Sequence, residues 1–235
     1  KKLIAMKIGV PKEIKPQENR IGLTPDSVKV LTSNGHEVLV ENNGGYEAGF
    51  DNDQYKKSGA KIIDNAGDIF NDSEIIVKVK EPLSNEVKMI REDQIIFTYL
   101  HLAAAKELTE GLVKSKSICI AYETITDDNG RLPLLAPMSA VAGRMSIQAG
   151  AHCLEKNQKG RGLLLGGAPG VDPANVVILG GGVVGENAAL IATGMRAKVY
   201  IVDKSEPRLK QLQEIFGDKI IPQHSDKIDL KKLVS

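Results

Sequence analysis

A glycine-rich turn stands between a strand pattern and a helix pattern in the last third of the chain. Asn175–Leu179 is typical of a buried strand, and an alanine-rich helix pattern covers Glu186–Met195. Between them, Gly180, Gly182 and Gly185 satisfy the spacing Gly-x-Gly-x-x-Gly. In this context the first glycine permits a tight turn, the second lets the backbone approach a pyrophosphate, and the third lets helix and strand pack. The pyrophosphate would lie at the positive end of the helix dipole. The motif predicts a dinucleotide site.

An acid follows the next strand pattern. Lys198–Asp203 ends in Asp203, 18 positions after Gly185, where a ribose-binding carboxylate is expected. This carboxylate would repel a 2′-phosphate, so it favours NAD over NADP. Lys204 and Arg208 lie close enough to weaken that preference. The alternative is an α/β domain that has a tight glycine turn and binds no ligand.

Three further polar residues follow strand patterns in the first half of the chain. Arg20 follows the first strand, Lys80 closes the third and His101 follows the fourth. If the strands are parallel, their carboxyl ends share the sheet edge at which open α/β sheets bind ligands. A guanidinium, an ammonium and an imidazole together suit a small anionic substrate with a carbonyl group. Taken singly, Arg20 and Lys80 are also typical of solvated loops, and His101 of a hydrogen-bonded structural histidine.

Strand patterns alternate with helix patterns along the whole chain. This alternation predicts an α/β fold of two Rossmann-like parallel-sheet domains. The expected strands are Lys7–Val10, Glu37–Glu41, Glu74–Val79, Ile95–Tyr99, Ile118–Tyr122, Asn175–Gly180 and Lys198–Asp203. The expected helices are one that begins at Thr24-Pro25 and stops at Asn34-Gly35, and others over Asp51–Ser58, Ala103–Lys116 and Met138–Lys156.

Two prolines bracket a short apolar run at Leu132–Pro137, which predicts a domain boundary. We expect a substrate domain over residues 1–134 and a nucleotide-binding domain over residues 135–235. From Asn175 onward only 61 residues remain, enough for two strands and a third at Ile220-Ile221. A two-half nucleotide fold needs about six strands. The second domain is therefore expected to be incomplete and to lack its nicotinamide half.

Composition excludes several classes of protein. The 235 residues are 42% apolar and 26% charged with a net charge of +1, which indicates a globular chain without a broad basic surface for nucleic acid. No apolar run reaches the roughly 18 residues of a membrane helix. Cys119 and Cys153 are too few for a disulfide framework, and both are expected to be buried thiols in a reducing cytoplasm. No histidine pair has metal-ligand spacing, so no metal is predicted.

Six motifs together resemble alanine dehydrogenase, and the likeness extends from Met6 to the end of the chain. They lie at Met6–Pro25, Lys78–Pro82, Phe97–Ala104, Ala121–Thr124, Leu134–Gly143 and Gly160–Pro173. The related α subunit of proton-translocating NAD(P) transhydrogenase shares the layout. It lacks a histidine at the position of His101 and carries an Arg-Ala-Gln-type loop that is absent from this sequence.

The resemblance implies reversible oxidative deamination of L-alanine to pyruvate and ammonium, with NAD as the hydride acceptor, in a homohexamer. It implies that Arg20 and Lys80 bind the substrate and that His101 donates and accepts the proton. Arg208 stands where the family often has lysine. The implied cofactor contacts are Ser139, Gly180, Gly182, Val183, Val184, Gly185, Asp203, Arg208 and Ser225.

The family's catalytic aspartate and a returning C-terminal segment lie beyond the ribose acid, whereas this sequence ends at Ser235. We therefore expect a truncated chain whose missing part is lost or is supplied by a separate polypeptide. Two alternatives stay open. One is a transhydrogenase-like subunit that works with a membrane partner, and the other is a catalytically inactive module for nucleotide binding or assembly.

Overall fold

The computed structural model describes residues 4–234. Its internal contacts divide the chain into two units, one up to Leu132 and one from Pro133. We call these unit 1 and unit 2. The division falls two residues before the boundary expected from the prolines.

Unit 1 is built on one parallel sheet. Its six strands are β1 (Lys7–Val10), β2 (Glu37–Glu41), β3 (Lys61–Ile63), β4 (Ile75–Val77), β5 (Ile95–Thr98) and β6 (Ile118–Ala121). They lie in the order β3-β2-β1-β4-β5-β6, and every neighbouring pair is parallel. The chain winds outward from β1 to β3 and then returns to β4 on the other side of β1. The carboxyl ends of β1 and β4 therefore form a topological switch point, the usual ligand crevice of such sheets.

The helices of unit 1 are α1 (Pro25–Ser33), α2 (Asn52–Lys57), α3 (Ala66–Asp72), α4 (Ser84–Val87) and α5 (Lys106–Ser115). Of these, α1, α2 and α3 begin at a residue whose side chain caps them. The Thr24 hydroxyl accepts the N–H of Ser27 at 3.3 Å, and Pro25 takes the first helical position, where a missing N–H costs nothing. The Asp51 and Gln54 side chains each accept the other residue's backbone N–H, forming a capping box at α2.

The core of unit 1 includes β-branched side chains on the central strands, with Val10, Val40, Ile76 and Ile96 fully buried. The predicted parallel α/β fold is confirmed. The prediction missed β3, whose three residues are too few to show a period.

Unit 2 has a second parallel sheet, in the order β7-β8-β9. Its elements are α6 (Ala136–Cys153), β7 (Asn175–Leu179), α7 (Val183–Gly194), β8 (Lys198–Asp203), α8 (Glu206–Phe216), β9 (Ile220–His224) and α9 (Leu230–Val234). A Cβ at Gly143 would overlap the carbonyl oxygen of Val184, so this glycine lets α6 approach the first turn of α7. The three strands are half of the about six in a complete two-half nucleotide fold.

The structure corrects the expectation about the two thiols. Cys153 is exposed and Cys119 is only partly buried, because Cys153 ends α6 and Cys119 lies on the edge strand β6. Within residues 4–234, no helix combines the length and apolar character needed to cross a membrane. The same residues contain no group of three or more His, Cys, Asp and Glu side chains that could hold a metal ion.

Candidate functional site

Arg20 lies in the loop that follows β1. A Cβ at Gly22 would lie 2.6 Å from the carbonyl oxygen of Val77, so the loop backbone contacts the end of β4 at this glycine. The guanidinium donates from Nε to Glu18 Oε1 at 2.8 Å and from Nη2 to Glu18 Oε2 at 2.6 Å. These charge-assisted bonds lower the pKa of Glu18 to about 2. Glu18 therefore stays ionised and fixes the plane of the guanidinium.

Lys80 follows β4, and a buried carboxylate holds its main chain. Glu13 Oε1 accepts the N–H of Val79 at 2.6 Å and that of Lys80 at 3.2 Å. The positive charge of Lys80 also contributes to the lowered pKa of Glu18.

A buried charge cluster underlies this strand end. The ammonium of Lys78 lies 3.2 Å from Glu13 Oε2 and 2.8 Å from Glu86 Oε1, and the three side chains are only 1–2% exposed. Removing the ammonium would leave two uncompensated buried carboxylates, which is strongly destabilising. The cluster therefore ties the loop after β1 to β4 and makes the Lys80 position rigid.

His101 follows β5 in an unusual backbone conformation. Its φ of 51° lies in the left-handed region, which a residue with a side chain rarely adopts. Glu123, just after β6, stabilises the turn because its carboxylate accepts the N–H of His101 at 2.7 Å and that of Leu100 at 3.1 Å. The imidazole side chain is 53% exposed, and its Nδ1 lies 3.5 Å from Glu81 Oε2.

Tyr99 connects two of these positions. Its ring centroid lies 6.1 Å from that of His101. Burial raises the pKa of its phenol, and the positive charge of Arg20 partly offsets that rise. Through Tyr99 and Glu18, the loops after β1, β4 and β5 bring Arg20, Lys80 and His101 to one sheet edge. The arrangement can bind a carboxylate, polarise a carbonyl and move a proton.

Four glutamates that support the site had no place in the sequence-based prediction. Glu13 and Glu18 lie on the loop after β1, Glu81 follows β4 and Glu123 follows β6. The signal that pointed to His101, a polar residue directly after a parallel strand, applies equally to Glu81 and Glu123. Glu13 and Glu18 have no comparable signal, because their partners depend on the path of a loop.

The glycine turn of unit 2 follows β7 as predicted. Gly180 has a φ of +93°, which favours glycine, and a Cβ at Gly185 would overlap the carbonyl oxygen of Gly180. A Cβ at Gly182, in contrast, would meet no protein atom within 4 Å. Within the described chain no side chain caps α7, and Gly182 is its N-cap residue. The fold thus requires two of the three glycines, and the space beside Gly182 can admit a ligand.

Asp203 lies at the end of β8, next to the glycine turn. Its carboxylate accepts the N–H of Gly181 at 2.6 Å and that of Ser205 at 2.8 Å, and these bonds lower its pKa. Each carboxylate oxygen can accept a second hydrogen bond, such as one from a ribose hydroxyl. Arg208 donates from Nε to the carbonyl oxygen of Gly181 at 2.6 Å and pairs with Glu186, so it clamps the turn.

A cavity of about 760 Å³ lies between α6, β7 and the start of α7. Ser225 is not among its lining residues, but it directly follows His224, which is in register with Asp203 on the neighbouring strand. Ser225 therefore lies at the same sheet edge. The N–H groups of the first turn of α7 and the open space beside Gly182 suit the pyrophosphate of a dinucleotide. The cavity extends along the whole of β7, and Asp203 and Arg208 are not among its lining residues. The predicted contacts that line the cavity are Ser139, Gly180, Gly182, Val183, Val184 and Gly185.

Together, the glycine turn and the acid after the next parallel strand define an α/β protein of the dinucleotide-binding class. Residues 9–142 match the family model described as Alanine dehydrogenase/PNT, N-terminal domain, and residues 146–235 match the corresponding C-terminal domain. The chain belongs to the alanine dehydrogenase/PNT family.

Individual relatives agree with this assignment. The chain is 50% identical over 229 residues to an alanine dehydrogenase of Methanococcus maripaludis, covering 97% of this chain and 61% of that protein. It is 50% identical over 231 residues to an alanine dehydrogenase of Bacillus subtilis, covering 98% and 60%. A solved structure titled L-alanine dehydrogenase is 52% identical, with a TM-score of 0.87 over 94% of this chain and 61% of that one. The chain thus spans about three fifths of the length of these relatives.

A transhydrogenase structure from Sinorhizobium meliloti has a TM-score of 0.77 at 21% identity, covering 97% of this chain and 63% of that one. At this identity the likeness shows a shared fold alone.

Proposed function

We propose that this chain serves the NAD-dependent, reversible oxidative deamination of L-alanine to pyruvate and ammonium. The observation that supports the proposal is that Arg20, Lys80 and His101 lie on loops at the carboxyl edge of the unit 1 sheet. This arrangement occurs in a chain that is half identical to relatives named alanine dehydrogenase.

In this proposal, Arg20 and Lys80 hold the substrate. The guanidinium binds the substrate carboxylate, and Lys80 binds the oxygen or nitrogen on the α-carbon. Glu18 already orients the guanidinium through two hydrogen bonds, so less conformational freedom is lost when the substrate binds. Glu13 fixes the main chain at Lys80, because its carboxylate accepts the N–H of that residue. The residues around the site thus contribute mainly by positioning.

His101 moves the proton in the proposed reaction. NAD supplies the hydride acceptor when it is bound. Once the ammonium of bound alanine has lost one proton to solvent, loss of hydride from the α-carbon leaves an iminium, to which water adds as His101 takes up a proton. The carbinolamine then collapses to pyruvate and ammonium as His101 returns a proton to the leaving nitrogen. The net reaction converts alanine, NAD⁺ and water to pyruvate, ammonium, NADH and one proton.

The preference for NAD rests on Asp203. Its carboxylate would bind the adenosine ribose hydroxyls and repel a 2′-phosphate. The first-turn N–H groups of α7 would bind the pyrophosphate, with Ser139, Val183 and Val184 along the cavity wall. Direct contacts of Arg208 and Ser225 with the nucleotide stay predictions.

The proposal is tested by steady-state oxidation of NADH with pyruvate and ammonium. Lys80→Met and His101→Gln should each lower kcat/KM by about 100-fold or more. The matched controls are Lys114→Met, on the exposed face of α5, and His152→Gln, whose side chain is 61% exposed on α6. Turnover that survives both site variants would overturn the assignment of the site.

Isothermal titration with NADH and pyruvate separates the alternatives. Binding of both ligands with alanine turnover supports the proposal. NADH binding without any turnover of alanine or pyruvate would favour an inactive nucleotide-binding module. Hydride exchange between two nucleotides without alanine would favour a transhydrogenase-like subunit.

A homohexamer is part of the same proposal. Light scattering should then give a mass of six times the 25.3 kDa chain. A monomeric mass at micromolar concentration would contradict it.

A further inference from the structure

We propose that Glu81 is a positioning residue that holds the His101 imidazole with its proton on Nδ1. This leaves Nε2 as the ring nitrogen that exchanges a proton with the substrate. The tautomer itself is a property of the free chain, and only the role of Nε2 rests on the proposed function. Glu81 lies one residue after Lys80, so the same strand end would serve both the substrate and the histidine.

The first support is an unsatisfied oxygen. Glu81 Oε2 is buried and, within residues 4–234, no hydrogen-bond donor contacts it. His101 Nδ1 is 3.5 Å away. This separation is longer than an ordinary N–H···O bond of about 2.9 Å. Because the His101 side chain is 53% exposed, a small rotation of the ring can close the gap. A buried carboxylate oxygen without a partner is costly, which favours that rotation.

The second support is the way in which the Glu81 carboxylate is held. The Lys15 ammonium, from the loop after β1, donates to Glu81 Oε1 and forms an ion pair with it. Oε1 is therefore engaged, and Oε2 is the atom that faces the imidazole. The Glu81 side chain is only 17% exposed. Burial raises the pKa of Glu81, but the Lys15 ammonium and a backbone hydrogen bond outweigh burial, so the pKa lies below its ordinary value.

The ionised state of Glu81 determines which ring nitrogen of His101 carries the proton. An ionised carboxylate can only accept hydrogen bonds, so the neighbouring ring nitrogen must carry the proton. The same logic sets the tautomer of histidines elsewhere, where a carboxylate on one ring nitrogen leaves the other available for chemistry. In neutral His101, the lone pair is then on Nε2.

The groups around His101 contact different parts of the residue. Glu123 accepts the main-chain N–H groups of Leu100 and His101, so it holds the backbone and leaves the ring to Glu81. Tyr99 lies on the ring side at a centroid distance of 6.1 Å. Glu123 holds the left-handed backbone of His101, and the contact with Glu81 selects the orientation of the ring.

The test is long-range ¹H–¹⁵N NMR of the imidazole nitrogens in the full 235-residue chain, at a pH at which the rings are neutral. The His101 signals are assigned by their loss in His101→Gln. The wild-type chain should show predominantly the Nδ1–H form. Glu81→Gln should shift the ratio toward Nε2–H by about fivefold or more, the change that loss of one ordinary hydrogen bond produces. Glu110→Gln, on exposed α5, should leave it unchanged.

Two results would overturn the inference: a wild-type ring that is mainly Nε2–H, or an unchanged ratio in a folded Glu81→Gln variant. If Glu81→Gln does not fold, Glu81→Asp replaces it, and the shorter carboxylate should move the ratio in the same direction.

Kinetics provide a separate readout for an enzyme that turns over pyruvate. Glu81→Gln should lower kcat by about 10- to 100-fold, while KM for pyruvate changes by less than about threefold. A rise in KM at constant kcat would instead assign Glu81 to substrate binding and overturn its role as a positioning residue. Because the NMR measurement needs no turnover, an inactive chain would count against the proposed function only.

Discussion

Gly182→Ala should separate ligand binding from folding at the glycine turn. A Cβ at Gly182 meets no protein atom within 4 Å, and the residue's φ of −67° suits alanine. The fold should therefore tolerate the change, with a loss of less than about 1 kcal/mol because alanine is a poorer N-cap than glycine. In the proposed complex, the added methyl group would lie where the backbone approaches the pyrophosphate. We expect at least a tenfold weaker Kd for NADH, which is about 1.4 kcal/mol.

Two other glycines of α7 are the matched controls. At Gly185 the new methyl group would overlap the carbonyl oxygen of Gly180, so Gly185→Ala should cost about 3 kcal/mol or more of unfolding free energy. At Gly194, the last residue of α7, a Cβ meets nothing within 4 Å. Gly194→Ala should therefore leave NADH binding unchanged and stabilise the helix by up to about 1 kcal/mol.

The assay combines isothermal titration with NADH and urea unfolding of each variant. Titration with ADP-ribose checks that the effect lies at the pyrophosphate, since this ligand lacks the nicotinamide ring. Two results would refute the reasoning: undiminished NADH binding by Gly182→Ala, or a loss of stability in that variant equal to that of Gly185→Ala.

Three further predictions concern charged groups. Lys78→Met should cost about 3 kcal/mol in urea unfolding, because it leaves the buried carboxylates of Glu13 and Glu86 without their cation; a cost below about 1 kcal/mol would contradict this. Glu18 should titrate near pH 2 by carboxyl ¹³C NMR, and Arg20→Lys should move that midpoint toward the ordinary 4.5. Because its folded pKa is lowered, the Glu18 pair stabilises the fold above about pH 4.5, and this contribution disappears as the pH falls toward 2. Asp203→Asn should reduce the preference for NADH over NADPH at least about tenfold in titrations, whereas Asp218→Asn, at an exposed carboxylate before β9, should not.

Much of the local structure could be predicted from the sequence, because its signals are local. Thr24 and Pro25 predict the start of α1, and the apolar run before Gly180 predicts β7. The glycine spacing and Asp203 lie within one strand–helix–strand unit, so short-range geometry brings them together. β3 was missed because three residues cannot display a period.

The sequence by itself therefore determined the α/β class, the dinucleotide motif and the polar residues after the strands. Only the tertiary structure decided the strand order β3-β2-β1-β4-β5-β6, which creates the switch point between β1 and β4. It also decided the partners of the site residues. Glu13 meets Lys78 across 65 positions, and Lys15 meets Glu81 across 66. Such pairs depend on how a crossover returns the chain to a neighbouring strand, and no local pattern encodes that path.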